Sequence, residues 1–168
     1  MVQKPETLGM GTTIVICWLL KDLVYVAWCG DSRCYIYNNE SGLKALTTDH
    51  SWVQELVDRG DISEEEALHH PDNNIITRGL GDFDRNAIPD IITHPITSND
   101  IILLCSDGLC GYCDNQTIES IVKEHQSNLN RCCNKLINTA LKSGAEDNIT
   151  IALASLSETG EKGFFSFF

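Results

Sequence analysis

The chain has 168 residues, 42% of them hydrophobic, which is enough for one domain with a sizeable core and too apolar for a globally disordered polypeptide. A formal charge of −12 excludes the basic footprint of a nucleic-acid binder and suits an acidic centre neutralised by cations. No apolar run approaches the ~20 residues of a bilayer span, and no signal-peptide pattern opens the chain.

Residues 12–20 form an apolar, β-branched run and residues 23–29 another. Lys21-Asp22 between them suits a tight hairpin of two antiparallel strands. Residues 34–37 continue the sheet, Asn38-Asn39-Glu40-Ser41-Gly42 forms a turn, and residues 43–46 return as a further strand. Four strands in succession predict a sheet-rich meander.

The middle changes character. Ser51-x-x-Gln54 is a capping-box pattern that opens a short helix through Arg59, with Gly60 to close it. Ser63-x-x-Glu66 opens a second helix that Pro71 stops. Both helices are charged and poor in core residues, so the two read as a surface excursion, a flap laid over something. Residues 75–77 and 88–96 are strand-like, the latter at a sheet edge because prolines interrupt it.

Residues 101–105 are apolar on both faces and predict a central buried strand. Asp114 is placed to cap a helix with an Ile118, Ile121 and Val122 stripe. A second helix gathers Cys132, Cys133, Leu136, Ile137, Ala140 and Leu141 on one face, and Gly144 is placed to end it. Residues 149–156 are the last expected strand. The aromatic tail from Gly163 to Phe168 reads as a docking tail or simply a chain end.

The eight cysteines do not dictate a metal site. Cys110-x-x-Cys113 resembles half a zinc ribbon, but Cys132 and Cys133 are adjacent, so their thiols diverge by roughly 100° on a helix. Cys17, Cys29, Cys34 and Cys105 lie in apolar runs as small hydrophobes. Reduced thiols and a cytoplasmic protein are the reading. Of five histidines, His50 reads as structural, and His69, His70, His94 and His125 as loop or helix-surface residues.

Asp31, Asp107 and Asp147 each occupy a polar break beside a strand-like run. Three carboxylates brought from separate strand ends to one rim would suit a hard divalent cation, which takes several oxygen ligands and tolerates water. Each break taken alone is equally well a turn.

The ordered strings carry more. Gly9-Met10-Gly11-Thr12-Thr13, Gly30-Asp31-Ser32-Arg33, Leu46-Thr47-Thr48-Asp49-His50-Ser51, His70-Pro71 through Ile76-Thr77-Arg78-Gly79-Leu80-Gly81, Leu104-Cys105-Ser106-Asp107-Gly108-Leu109 and Asp147-Asn148-Ile149-Thr150 follow one another in this order. They resemble the metal-dependent serine/threonine protein phosphatases of type 2C (the PPM family), in particular their bacterial branch. The resemblance runs from about Gly9 to about Leu156.

It implies an α+β fold, a four-layer αββα sandwich of two antiparallel sheets flanked by helices, with Mn²⁺ or Mg²⁺ at one end. Two core metal sites and a weaker third are expected in the full domain. By motif, Asp107 and Asp147 match the aspartates that hold the second core metal, and Asp31 the one that binds the third together with Asp107. Residues 51–81 match the variable flap beside the active site, and the implied partner is a phosphoprotein.

The family's opening strings, an Arg, then Asn-Glu-Asp or Met-Glu-Asp, then Asp-Gly-x-Gly-Gly, do not occur in these 168 residues. They would carry the aspartate bridging both metals and the arginine that grips phosphate. The expectation is therefore a domain incomplete at its N-terminus, weakly active or inactive alone. Bare sheet edges would favour self-association. The alternative is a non-catalytic relative that binds partners through the flap and an exposed edge.

Overall fold

The computed structural model describes residues 9–81 and 87–155 and the backbone of 165–167. Strands β1 (Ile14–Leu20) and β2 (Leu23–Cys29) form the expected hairpin, with Leu20 opposite Leu23 and Lys21 at φ 53° in the turn. The chain then leaves that sheet. Strands β3 (Arg33–Asn38) and β4 (Gly42–Ala45) belong to a second one, so the predicted four-strand meander is corrected to two hairpins in different sheets.

Gly30 makes the crossing. Its φ is +117°, and a Cβ there would stand 2.3 Å from Thr13 Cγ2, so only glycine permits the turn and the close approach of the two strands.

Helices α1 (Trp52–Arg59) and α2 (Glu64–Leu68) follow. Ser63 and Glu66 complete the reciprocal capping box, whereas Ser51 caps α1 alone because the Gln54 amide turns to Asp58. Residues 75–77 do not form the expected strand; Ile76 makes an isolated bridge to Ser51. Strand β5 (Asp90–Pro95) pairs with β2 at the edge of a three-stranded sheet of order β1-β2-β5, as its prolines foretold.

Strand β6 (Ile101–Cys105) is the middle of the five-stranded sheet. Helices α3 (Asp107–Cys110), α4 (Asn115–His125) and α5 (Leu129–Lys142) follow it, then β7 (Ile151–Ser155) and β8 (Phe165–Phe167). The order is β4-β3-β6-β7-β8, and every described pairing in both sheets is antiparallel. The aromatic tail thus supplies a strand beside β7, a role its composition alone did not disclose.

Alternation along the strands builds two cores. Cys34, Ile36 and Ile102 face Val24, Val26 and Trp28 between the sheets, while Tyr35, Tyr37, Leu103 and Leu153 face Ile118, Val122, Cys132 and Leu136 of α4 and α5. His125 is also buried, at the end of the α4 stripe, which corrects its surface assignment. Leu141, placed on the buried face of α5 by periodicity, is instead exposed. The eight cysteines are free thiols, and all except half-buried Cys17 are buried.

Three of the four expected layers are present among the described residues. The outward face of the three-stranded sheet presents Ile16, Trp18, Leu20 and Ile91, with Trp18 63% exposed. Among the described residues, no helix is long and apolar enough to cross a membrane.

Leu136→Ala should destabilise the fold by about 3 kcal/mol through lost burial and a residual cavity. Leu141→Ala, five residues further along the same helix, should change stability by less than about 0.5 kcal/mol. Urea unfolding monitored by circular dichroism reads both; equal effects would contradict the packing described.

Candidate metal centre

Register decides where the three aspartates stand. Arg33 pairs with Cys105, and Cys105 with Ile151, so the start of β3, the end of β6 and the start of β7 lie side by side. Asp31 stands just before β3, Asp107 just after β6, and Asp147 in the loop entering β7. One rim of the five-stranded sheet therefore receives all three.

Short local bonds set each carboxylate. Asp107 Oδ1 accepts the Gly108 N–H at 2.9 Å, and Asp147 Oδ1 accepts the Asn148 N–H at 2.7 Å. Ser106 joins the two loops: its Oγ accepts the Thr150 N–H at 3.0 Å and donates to the Asn148 carbonyl at 3.3 Å. Its own N–H donates to the Thr150 carbonyl at 3.1 Å. Gly108 packs so closely that a Cβ would lie 2.4 Å from the Asn148 carbonyl oxygen. The Asp-Gly dipeptide, ambiguous as a turn signal, is thus required by the approach of the loop bearing Asp147.

The rim carries excess negative charge. Burial first, then the neighbouring Asp107 and Asp49, push the Asp31 carboxyl up from its ordinary 3.8 to about 6. Asp107 is raised as well, by burial and then by Asp147. The nearby cation is Arg33, whose guanidinium is committed to Asp49 through bonds of 2.7 and 2.8 Å. Asp49 was not among the candidates; the Thr47-Thr48-Asp49-His50 string was its available signal.

Asp31 and Asp107, raised above the ordinary carboxylate range by burial first and then by neighbouring carboxylates, fit a hard divalent cation, which would offset both the burial and the repulsion. Among the described residues, no three His, Cys, Asp or Glu side chains close into a metal cluster. Such ions also bind through one or two carboxylates with water completing the shell, so an open rim suffices.

Comparison with known proteins identifies the family. Residues 2–149 match the family model described as Protein phosphatase 2C. The chain belongs to that family.

Its relatives include the serine/threonine phosphatase stp of Listeria welshimeri, 41% identical over 145 residues that cover 86% of this chain and 56% of the relative. Among solved structures, the serine/threonine phosphatase of S. agalactiae superposes with a TM-score of 0.83 at 36% identity, covering 92% of this chain and 63% of that one. The catalytic domain of the phosphatase PstP, described in complex with 2 manganese ions, gives a TM-score of 0.78 at 31% identity over 89% of this chain and 60% of that one. The chain thus spans less than two thirds of the length of each of these phosphatase 2C relatives. The family is metal-dependent, and the two-sheet fold with flanking helices is the one these relatives share.

Asp31 binds its proton more tightly folded than unfolded, so its contribution favours the fold below about pH 4, fades as pH rises through about 6, and is absent above. In chelator-treated protein, Asp31→Asn should therefore add about 2 kcal/mol of stability near pH 7.5, reduced from ~3 by residual screening, and almost nothing near pH 4. Urea midpoints at the two pH values read this; the same gain at both would deny the repulsion. Gly108→Ala should cost about 1–3 kcal/mol by forcing the Asn148 carbonyl away, and an unchanged midpoint would show that the loop yields freely.

Proposed function

We propose that this chain forms the carboxylate rim of a metal-dependent phosphatase acting on phosphoserine and phosphothreonine in proteins. The observation that carries this reading is the gathering of Asp31, Asp107 and Asp147 beside a guanidinium already occupied by Asp49. Asp107 and Asp147 would hold one core cation, and Asp31 with Asp107 a weaker one. Mn²⁺ is favoured by the manganese described for PstP, although Mg²⁺ accepts the same oxygen donors.

A cation bound here would supply neutralisation of phosphate charge and a more acidic water. The residues of this chain act around it. Asp31, Asp107 and Asp147 would give oxygens, Arg33 pairs with Asp49 beside them, and Ser106 keeps the two aspartate loops together. Residues 51–81, anchored where the Trp52 N–H meets the Ile75 carbonyl and the Thr77 N–H meets the His50 carbonyl, would act as the flap that governs access for a phosphoprotein. The eight free thiols support a reducing, cytoplasmic setting. The apolar outer face and edge of the three-stranded sheet would favour self-association.

The chain alone should show little turnover of an aryl phosphate, because the Asp-Gly-x-Gly-Gly string does not occur in it. Calorimetric titration of Mn²⁺ into the wild type and Asp107→Asn tests the site directly. At least about tenfold weaker binding in the variant is expected; equal heats from both would reduce Asp107 to a turn residue.

A further inference from the structure

His50 is buried, 4% exposed, and both of its ring nitrogens are engaged. Nδ1 lies 3.1 Å from the Gly30 backbone nitrogen, and Nε2 lies 3.1 Å from Asp90 Oδ2. A backbone N–H can only donate, so Nδ1 must present its lone pair to Gly30 and Nε2 must carry the hydrogen donated to Asp90. One tautomer satisfies both contacts.

The surroundings lock that tautomer. Arg78 grips Asp90 with two bonds, NH1 to Oδ1 at 3.0 Å and NH2 to Oδ2 at 3.3 Å. The Trp28 ring stacks on the imidazole at 5.8 Å and 17°, and its Nε1–H donates to the Thr48 carbonyl at 2.8 Å. The His50 N–H returns a bond to the Gly30 carbonyl at 3.0 Å, so Gly30 is held from both sides by one residue. Gly30 is the positive-φ turn residue immediately before Asp31, and nothing in the pattern of candidate metal ligands requires a histidine here.

We infer that His50 is a positioning residue for Asp31: its imidazole, oriented by Asp90 and Arg78, holds the Gly30 amide and thereby sets where the Asp31 carboxylate stands on the rim. The chain of contacts runs from Arg78, at the close of residues 51–81, to the turn that bears a candidate ligand. Second-sphere groups of this sort alter metal affinity without touching metal, typically by about 10–100-fold. The affinity readout rests on the metal reading above; the tether itself does not.

Two substitutions separate the nitrogens. In His50→Asn the side-chain oxygen takes the place of Nδ1 and keeps an acceptor for Gly30. In His50→Gln the amide nitrogen takes the place of Nε2, keeps the donor to Asp90, and leaves the Gly30 N–H without its acceptor. Both lose the ring and its stacking on Trp28, so loss of packing is common to them.

Gly30 amide exchange measured by NMR should be at least about tenfold faster in His50→Gln than in His50→Asn. Calorimetric Mn²⁺ affinity should fall about tenfold in His50→Gln and stay within roughly threefold of wild type in His50→Asn. Equal Gly30 exchange in the two variants would overturn the tether, whatever the metal does. A Gly30 difference with equal Mn²⁺ affinities, while Asp107→Asn binds weakly, would overturn the positioning role and leave the metal site standing. A Gly30 difference with unchanged binding in Asp107→Asn would instead remove the metal reading and keep the tether. The ring ¹⁵N shifts of wild-type His50 need no variant to fold: an Nδ1–H tautomer would refute the inference outright.

Discussion

The pairing of β3, β6 and β7 is the constraint from which the site follows. These strands are antiparallel, so the start of one, the end of the next and the start of the third must lie on the same side of the sheet. Each strand has side chains that are buried toward the helices, and β3 and β6 are buried toward the other sheet as well. A one-residue slip would turn these faces inside out, exposing Tyr35 and Leu103 or crowding them between the sheets. Core packing therefore fixes register, and register places Asp31, Asp107 and Asp147 together.

Gathering them opposes folding. Three carboxylates and Asp49 share a rim where one guanidinium, that of Arg33, is already bound to Asp49, and burial first, then the neighbouring carboxylates, raise the Asp31 and Asp107 carboxyls. Nothing in packing calls for this arrangement, since apolar or amide side chains would sit at the rim with less strain. Functional sites often concentrate charge against stability, and a divalent cation would be a counter-charge whose ligand preference matches. The tight joint between Gly108 and Asn148 has the same logic: it leaves the two loops no room to separate.

Much of this was legible from residues. The β1–β2 hairpin, the edge position of β5, the buried middle strand β6, and the helices capped by Ser51, Ser63 and Asp114 all followed from period, proline and capping chemistry, which act locally. What escaped was non-local. Residues 30–32 gave a turn signal, but not that the turn changes sheets, because that depends on Thr13 packing against Gly30. Residues 75–77 have β-branched composition yet find one bridge and no partner strand. His125 and Leu141 exchanged the environments expected of them because the rotation of each helix on the sheet sets burial, and side-chain polarity does not. At the site, three aspartates were visible as candidates, but the pairing of Asp49 with Arg33 and the two-sided role of His50 emerge only from tertiary contacts.

The two sheets face opposite situations on their outer sides. Helices α4 and α5 cover the five-stranded sheet and hold Tyr35, Leu103 and Leu153 at 1% exposure or less. The three-stranded sheet turns Ile16, Trp18, Leu20, Ile91 and the Tyr25 ring outward with no charged residue among them. Its inner face is nevertheless well packed, so β1 and β2 are held from one side. That asymmetry matters for the rim, because the Gly30 turn hangs from the end of β2 and is steadied by Thr13 just before β1. His50, Asp90 and Arg78 meet the same turn from the other direction, through the segment that precedes α1, the first residue of β5 and the close of residues 51–81. A carboxylate on a turn that leaves a half-covered sheet gains a second support from this hydrogen-bonded relay.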